Sequence, residues 1–271
     1  MTDESMRSDA HKENKGLPID RWQVAHIRSP EELIADYSLP RPHLITEILS
    51  RRLVMADGGH LSEDDIWQWS VAERLRALAS IVSDSGASEF SAIAACLAAD
   101  CDQLIQLNLD LAAIRQPSDV DGIYCFVSSG ERLQLRLPTG TDQRTLLKLR
   151  DADDLGLVRE MATRLVVSVD GGSLAPDTPC PPEWISTIET ALAANDPAYY
   201  TEEIVTCPEC GHDNPVEIDL EELLIDRLMQ QQEQLFQQID LLATAYRWSE
   251  SAIVGLPEWR RERYVGLVSR R

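Results

Sequence analysis

The residues of this sequence best suited to chemistry are Cys207 and Cys210, two thiols three positions apart with Gly211 directly behind them. Thr206-Cys207-Pro208-Glu209-Cys210-Gly211-His212 has the form of one metal-binding knuckle. Both thiolates of such a turn reach the same ion, and the Gly allows the chain to fold tightly around it. A four-coordinate zinc site needs two halves of this kind. His212 is one candidate to complete it. Cys96 and Cys101 are the others, if an internal echo is a true duplication: Cys101 precedes Leu107-Asn108-Leu109-Asp110-Leu111 as Cys210 precedes Val216-Glu217-Ile218-Asp219-Leu220. The competing reading is a metal-free knuckle that turns on Pro208 and Gly211. Cys125 and Cys180 read more simply, as a buried strand thiol and a loop thiol.

Other chemistry finds little support. No H-E-x-x-H, G-x-S-x-G or G-x-x-x-x-G-K-[ST] pattern occurs. The carboxylate clusters at Glu63-Asp64-Asp65, Asp151-Asp153-Asp154 and Glu202-Glu203 read as solvated helix starts, which the helix dipole favours, and not as acid/base pairs. The expectation is a protein that is not an enzyme.

Composition narrows the class. The chain has 271 residues, enough for one or two domains with a real core. Its formal charge of −21 opposes binding to nucleic acid or to an anionic membrane, since both would repel it. Six Cys without a signal peptide predict reduced thiols in a cytoplasm, and no apolar run reaches membrane-spanning length.

Stepping along the chain, residues 1–20 are polar and predicted disordered. Residues 21–116 read as a helical module. Its helix signals are Ser29-Pro30-Glu31-Glu32, Pro42–Met55, a start at Ser62-Glu63-Asp64-Asp65 carrying Trp67, Val71, Leu75, Leu78 and Val82, and Phe90–Ile114. Residues 117–218 read as an α+β module. It opens with a hairpin over Ile123–Val127 and Leu133–Leu137, ended by Pro138-Thr139-Gly140. A helix from about Thr145 to residue 166 follows, closed by Asp170-Gly171-Gly172, then a Pro-rich loop and a helix from Pro182 to Asn195. Residues 219–271 read as a C-terminal helical docking unit. Its long helix, Leu220 to about Tyr246, carries an apolar stripe of Leu220, Leu224, Leu228, Leu235, Ile239 and Leu242, interrupted by Gln230-Gln231-Gln232. Ser249 caps a short turn and Pro257 starts a terminal helix. The fold class is mainly α with a small β component.

Pro257 to Arg271 holds five Arg against two Glu, a net +3 on an acidic chain. Trp248 and Trp259 fit a small core between the last helices. Alternatively Trp248, Trp259, Arg260, Arg261, Arg263 and Tyr264 fit anchors for an acidic surface of a partner.

The C-terminal residues also carry a resemblance. Leu241-Leu242-Ala243, Tyr246-Arg247-Trp248-Ser249-Glu250, Ile253–Leu256 and Arg260-Arg261-Glu262-Arg263-Tyr264 resemble small conserved proteins of contractile injection system and myophage tail clusters. The Cys knuckle, with Leu137-Pro138-Thr139-Gly140 upstream, resembles baseplate hub assembly proteins of T-even-like phages. These resemblances imply a structural or assembly protein of a baseplate, working through contacts with hub or wedge subunits and placed in the finished particle. The rival implications are a non-virion assembly chaperone that stays in the cytoplasm, and, from another class, a zinc-binding regulatory module.

Overall fold

The computed structural model describes residues 22–25, 34–84, 89–115, 123–128, 130–149, 153–175, 178–195 and 202–270. The expected disordered tail and the helix signal at Ser29–Glu32 lie outside them. The fold is mainly α with small sheets. Three apolar clusters organise it, and each has its own way of being held together.

The first cluster is helical. Helix α1 (Arg41–Arg52) follows a short strand, β1 (Trp22–Val24), which pairs antiparallel with β2 (Leu53–Met55). The sequence predicted helix to Met55; the last three residues instead leave the helix to pair with Trp22–Val24. Helices α2 (Glu63–Gln68) and α3 (Val71–Asp84) replace the single helix expected from Ser62. Ser62 and Asp65 close a capping box on α2. Ser70 and Glu73 exchange the same pair of bonds at the start of α3, at 2.9 and 3.1 Å. The break between them has a tertiary cause. Val71 N–H donates to the Pro138 carbonyl at 2.8 Å, and Gly140 N–H donates to the Trp69 carbonyl at 3.1 Å.

Helix α8 (Leu220–Tyr246) completes this cluster. Leu220, Leu224, Ile225 and Leu228 are buried against Leu44, Leu49, Leu78 and Ile81. Asp219 caps the helix, accepting from Glu222 N–H, and its carboxylate pairs with Arg41 of α1. The expected division at residue 219 is therefore corrected: the first turns of α8 belong to the main core. The Gln interruption of its stripe also has a role, since Gln232 accepts from Ala35 N–H at 2.9 Å and donates to the Ala35 carbonyl at 3.4 Å.

The second cluster lies on a four-stranded antiparallel sheet, β5 (Ile123–Ser128), β6 (Glu131–Arg136), β7 (Val166–Val169) and β8 (Gly172–Ser173). Leu133, Leu135 and Val166 face α6 (Asp154–Leu165) and α7 (Pro182–Asn195), with Leu165, Trp184 and Ile188 filling the space. The hairpin of β5 and β6 and the helix from Pro182 match expectation. The continuous helix from Thr145 does not form. A short helix α5 (Gly140–Leu146) precedes α6, and the β-branched run at Val166 becomes strand. Asp170 and Gly171, both with positive φ (48° and 82°), make a tight turn from β7 to β8 instead of ending a helix.

The segment Leu137–Gly140 joins the two clusters. Gly140 is buried, and a Cβ placed on it would lie 1.7 Å from Arg74 Nη1 and 3.1 Å from Trp67. Arg74 is held there: its Nη2 donates to the Pro42 carbonyl (2.6 Å) and to Thr46 Oγ1 (2.9 Å), and its guanidinium lies 4.8 Å from the Trp67 ring centre. Arg144 approaches the same ring, 4.6 Å from its centre. Burial pulls the Arg74 guanidinium down to about 10, and the Glu221 carboxylate of α8 opposes that shift. On the other side of the seam, Thr139 and Asp142 cap α5, and Arg136 grips Asp142 through two bonds of 2.6 and 2.7 Å.

The chain ends in α9 (Glu250–Val254) and α10 (Glu258–Val268), with Ser249 capping α9 as expected. Helix α10 packs on α8.

Candidate metal centre

The third cluster holds the cysteines. Residues expected to continue as helix through Phe90–Ile114 form a hairpin instead, β3 (Glu89–Ala95) with β4 (Leu104–Asp110), followed by the single turn α4 (Leu111–Ile114). The reason lies in the alternation of β4: Ile105 and Leu107 are buried while Leu104, Gln106 and Asn108 are exposed. A period of two cannot sit on one helix face. A second hairpin, β9 (Glu202–Thr206) with β10 (Asp213–Glu217), carries the Thr206–His212 knuckle at its tip.

The two hairpin tips meet. Sγ of Cys96 lies 3.6 Å from Sγ of Cys210, and Sγ of Cys101 lies 3.8 Å from Sγ of Cys207. All four sulfurs fall within 4.8 Å of one another, so the cluster can hold a metal ion. Four thiolates at a tetrahedral zinc with Zn–S of about 2.3 Å stand about 3.8 Å apart, which this spacing matches.

Each tip is shaped by its backbone. In the second, Cys207 N–H donates to the His212 carbonyl at 2.8 Å, and Gly211 N–H donates to the Cys207 carbonyl at 2.9 Å. Gly211 has φ of 73°, a conformation that favours Gly. In the first, Cys96 N–H donates to the Gln103 carbonyl (2.9 Å) and Cys101 N–H to the Ala98 carbonyl (3.1 Å). N–H groups aimed at sulfur tune the thiols. The Cys210 N–H, with that of Glu209, draws Cys207 down to about 7 against its burial. The Gln103 N–H acts the same way on Cys101, but burial and the neighbouring sulfurs outweigh it and push that thiol up to about 12.

Asn214 locks the tips together, and the sequence reading missed it. It is fully buried. Its Nδ2 donates to the carbonyls of Val205 (3.1 Å) and His212 (2.8 Å) within its own hairpin, while its Oδ1 accepts from Leu97 N–H of the other tip at 2.7 Å. The only signal in the sequence was an Asn immediately behind a knuckle, a position that a strand would ordinarily fill with a β-former.

The expected ligands are thus partly brought together. Cys96 and Cys101 join Cys207 and Cys210; His212 is exposed, contributes its backbone carbonyl and stands outside the cluster. Four thiolates around one ion would leave it no open coordination position, the arrangement of a structural zinc site. Cys125 is exposed on β5, not buried as expected, whereas Cys180 is a buried loop thiol, raised chiefly by burial.

The C-terminal candidates separate into two groups. Trp248 stacks on Tyr246 with ring centres 4.8 Å apart, and Tyr264 meets both edge-to-face, at 4.9 Å from Trp248 and 5.7 Å from Tyr246. Arg261 Nε donates to Gln238 Oε1 at 2.7 Å. These residues bind α10 to α8 and to the connection that follows it. Trp259 is no core residue: it is 69% exposed, and Arg260 and Arg263 are exposed beside it. Among the described residues no helix is long and apolar enough to cross a membrane. Comparison of the chain with family models, with curated proteins and with solved structures finds no match.

Proposed function

We propose that this chain is a non-enzymatic structural or assembly protein of a contractile-tail baseplate, acting by contacts with hub or wedge subunits, in which zinc held by Cys96, Cys101, Cys207 and Cys210 fixes two hairpins against each other. The observation that carries the zinc reading is the convergence of four sulfurs within 4.8 Å from two hairpins far apart in sequence. A site closed by four thiolates folds a module and turns over nothing. The baseplate reading rests on the resemblance of the knuckle and the Leu137–Gly140 segment. Both supporting segments have structural work here: the knuckle is half of the cysteine cluster, and Leu137–Gly140 is the seam between the helical and sheet clusters. The charge of −21 favours protein contacts over nucleic acid, against a regulatory zinc module.

Elemental analysis of the purified protein tests the metal: about one zinc per chain is expected, lost in Cys207→Ser. A protein free of metal whose melting is indifferent to chelator removes the zinc reading. Mass spectrometry of purified tail particles tests the role. The protein belongs to the baseplate if it is found there at stoichiometric level, and acts as an assembly chaperone if particles lack it but fail to form without it. Normal particles assembled in its absence would refute both.

A further inference from the structure

Two surfaces of this chain are left open, and they complement each other. The first belongs to the cysteine hairpins. Ile93, Leu97, Leu104 and Ile204 are 71%, 64%, 61% and 72% exposed. Ile93 and Leu104 sit diagonally on the outward face of the first hairpin, since Ile93 pairs with Gln106 and Ala95 with Leu104. Ile204 lies opposite Pro215 in the second hairpin. The two segments are wholly acidic: Glu89–Asp110 holds four acidic residues and Glu202–Glu217 five, and neither contains a Lys or Arg.

The second surface is α10. Nothing on this helix is fully buried, and its inward positions Arg261, Tyr264, Val265 and Val268 are only half covered. Its outward positions Trp259, Arg263 and Leu267 are all exposed, as is Arg270 in the turn just past the helix end. The spacing of four residues between Trp259, Arg263 and Leu267 puts these three on one face. That stripe alternates apolar with basic, with the exposed carboxylate of Glu262 at its edge; Gly266 beside it is open, with nothing within 4 Å of a Cβ built there.

We propose that the Trp259–Arg270 stripe of one copy docks on the acidic, apolar hairpin pair of a second copy, head to tail. An occupant for the hairpin surface must bring large apolar side chains with positive charge between them, and α10 is an element of this chain that does so. Among the described residues, nothing of the same copy covers either surface. Two different patches joined this way form a heterologous contact, which builds a closed ring or an open chain of copies and not a symmetric dimer. The helix is only about 16 Å long, so the contact is small and association is expected at micromolar concentration and above. The contact forms against the repulsion between two chains of charge −21, which about 0.15 M salt screens beyond roughly 8 Å, and aromatic and Arg side chains dominate it once formed. The inference stands on exposure and charge, apart from the tail reading.

Sedimentation of the full, metal-loaded chain over roughly 5–200 µM in about 0.15 M salt, which screens the repulsion between whole chains, tests it. The expected result is concentration-dependent growth beyond a dimer, reduced in 0.5 M salt. Arg263→Glu with Trp259→Ala removes one surface, and Leu104→Asp removes the other. Each variant is expected to associate at least tenfold more weakly alone, with unchanged circular dichroism. Mixed together they should give a 1:1 heterodimer that grows no further, because each retains the surface that the other lacks. If either charge-altered variant misfolds, Arg263→Gln or Leu104→Ser takes its place. A wild-type chain that stays monomeric over the whole range overturns the proposal. So do variants that associate like wild type, or a mixture that forms no heterodimer.

Discussion

The helical cluster and the cysteine cluster solve the same problem by opposite means. The first buries 20 residues in one continuous core. At about 1.5–3 kcal/mol for each large apolar side chain, such a core repays the ordering of its backbone without further help. The second has three buried residues, Cys96, Ile105 and Cys207, under two separate two-stranded hairpins. Isolated hairpins are marginal in water, so these need a cross-link. The same chain is thus core-held at one end and, under the zinc reading, metal-held at the other. A module poor in apolar burial can afford exposed Ile and Leu on its outer faces only if something other than burial keeps it folded.

The largest test of this contrast removes α8. Truncation after Val216 takes Leu220, Leu224, Ile225 and Leu228 out of the helical core. Four such side chains amount to roughly 6–12 kcal/mol, comparable to the whole stability of a domain. The truncated chain is expected to lose its cooperative thermal transition, measured by far-ultraviolet circular dichroism. A folded truncated chain would mean that the helical core is complete without α8.

Cys207→Ser, or a strong chelator, attacks the other region. Loss of a structural zinc is expected to cost the hairpins several kcal/mol while leaving the helical signal standing. Hydrogen exchange separates the two: protection should vanish at Cys96–Leu107 and Val205–Val216 and persist in α1 and α3. Loss of protection everywhere at once would show that the two regions fold as one unit.

The seam responds next. Asp142→Asn leaves the Arg136 guanidinium without its carboxylate and is expected to destabilise by about 3 kcal/mol at pH 7. Burial works against the charged form of Asp142, but the bonds from Arg136 and Thr139 prevail and hold its folded pKa below the usual value. Its contribution is therefore present above the unfolded pKa of about 3.9 and disappears as pH falls through the lower folded value. The gap between variant and wild type in urea melts should close over that acid range; a gap unchanged at pH 2.5 would mean packing, not charge, is lost. Gly140→Ala is smaller, about 1–3 kcal/mol, because the new methyl must displace a buried and hydrogen-bonded Arg74.

The parts of this architecture readable in the sequence are those set by local chemistry. Caps at Ser62, Asp219 and Ser249, the 3.6-residue stripe of α8 and the Ser128–Glu131 hairpin all announce themselves within a few residues. The failures are tertiary. Leu53–Met55 continues a helical pattern and turns to strand only because Trp22–Val24 is there to pair with it. The break at Trp69–Ser70 is made by backbone groups of Pro138 and Gly140. Phe90–Ile114 is rich in Ala and Leu, good helix formers, and its alternation was seen only from Leu107 onward. The site followed the same rule. Cys207 and Cys210 were legible from their spacing, Cys96 and Cys101 only through the echo of that pattern, and Asn214 not at all, since its role needs Leu97 from the opposite tip.

The distance between the two Cys pairs along the chain sets a schedule for synthesis. Cys101 and Cys207 are 106 positions apart. At about 5–20 residues per second, the first pair leaves the ribosome roughly 5–20 seconds before the second. During that interval Cys96 and Cys101 are two ligands without partners, and the sheet cluster of β5–β8 with α6 and α7 is made between them and their mates. The four thiols are complete only when Cys210 arrives, so under the zinc reading metal capture is a late event in the life of each nascent chain and reports that everything between the pairs has already been made.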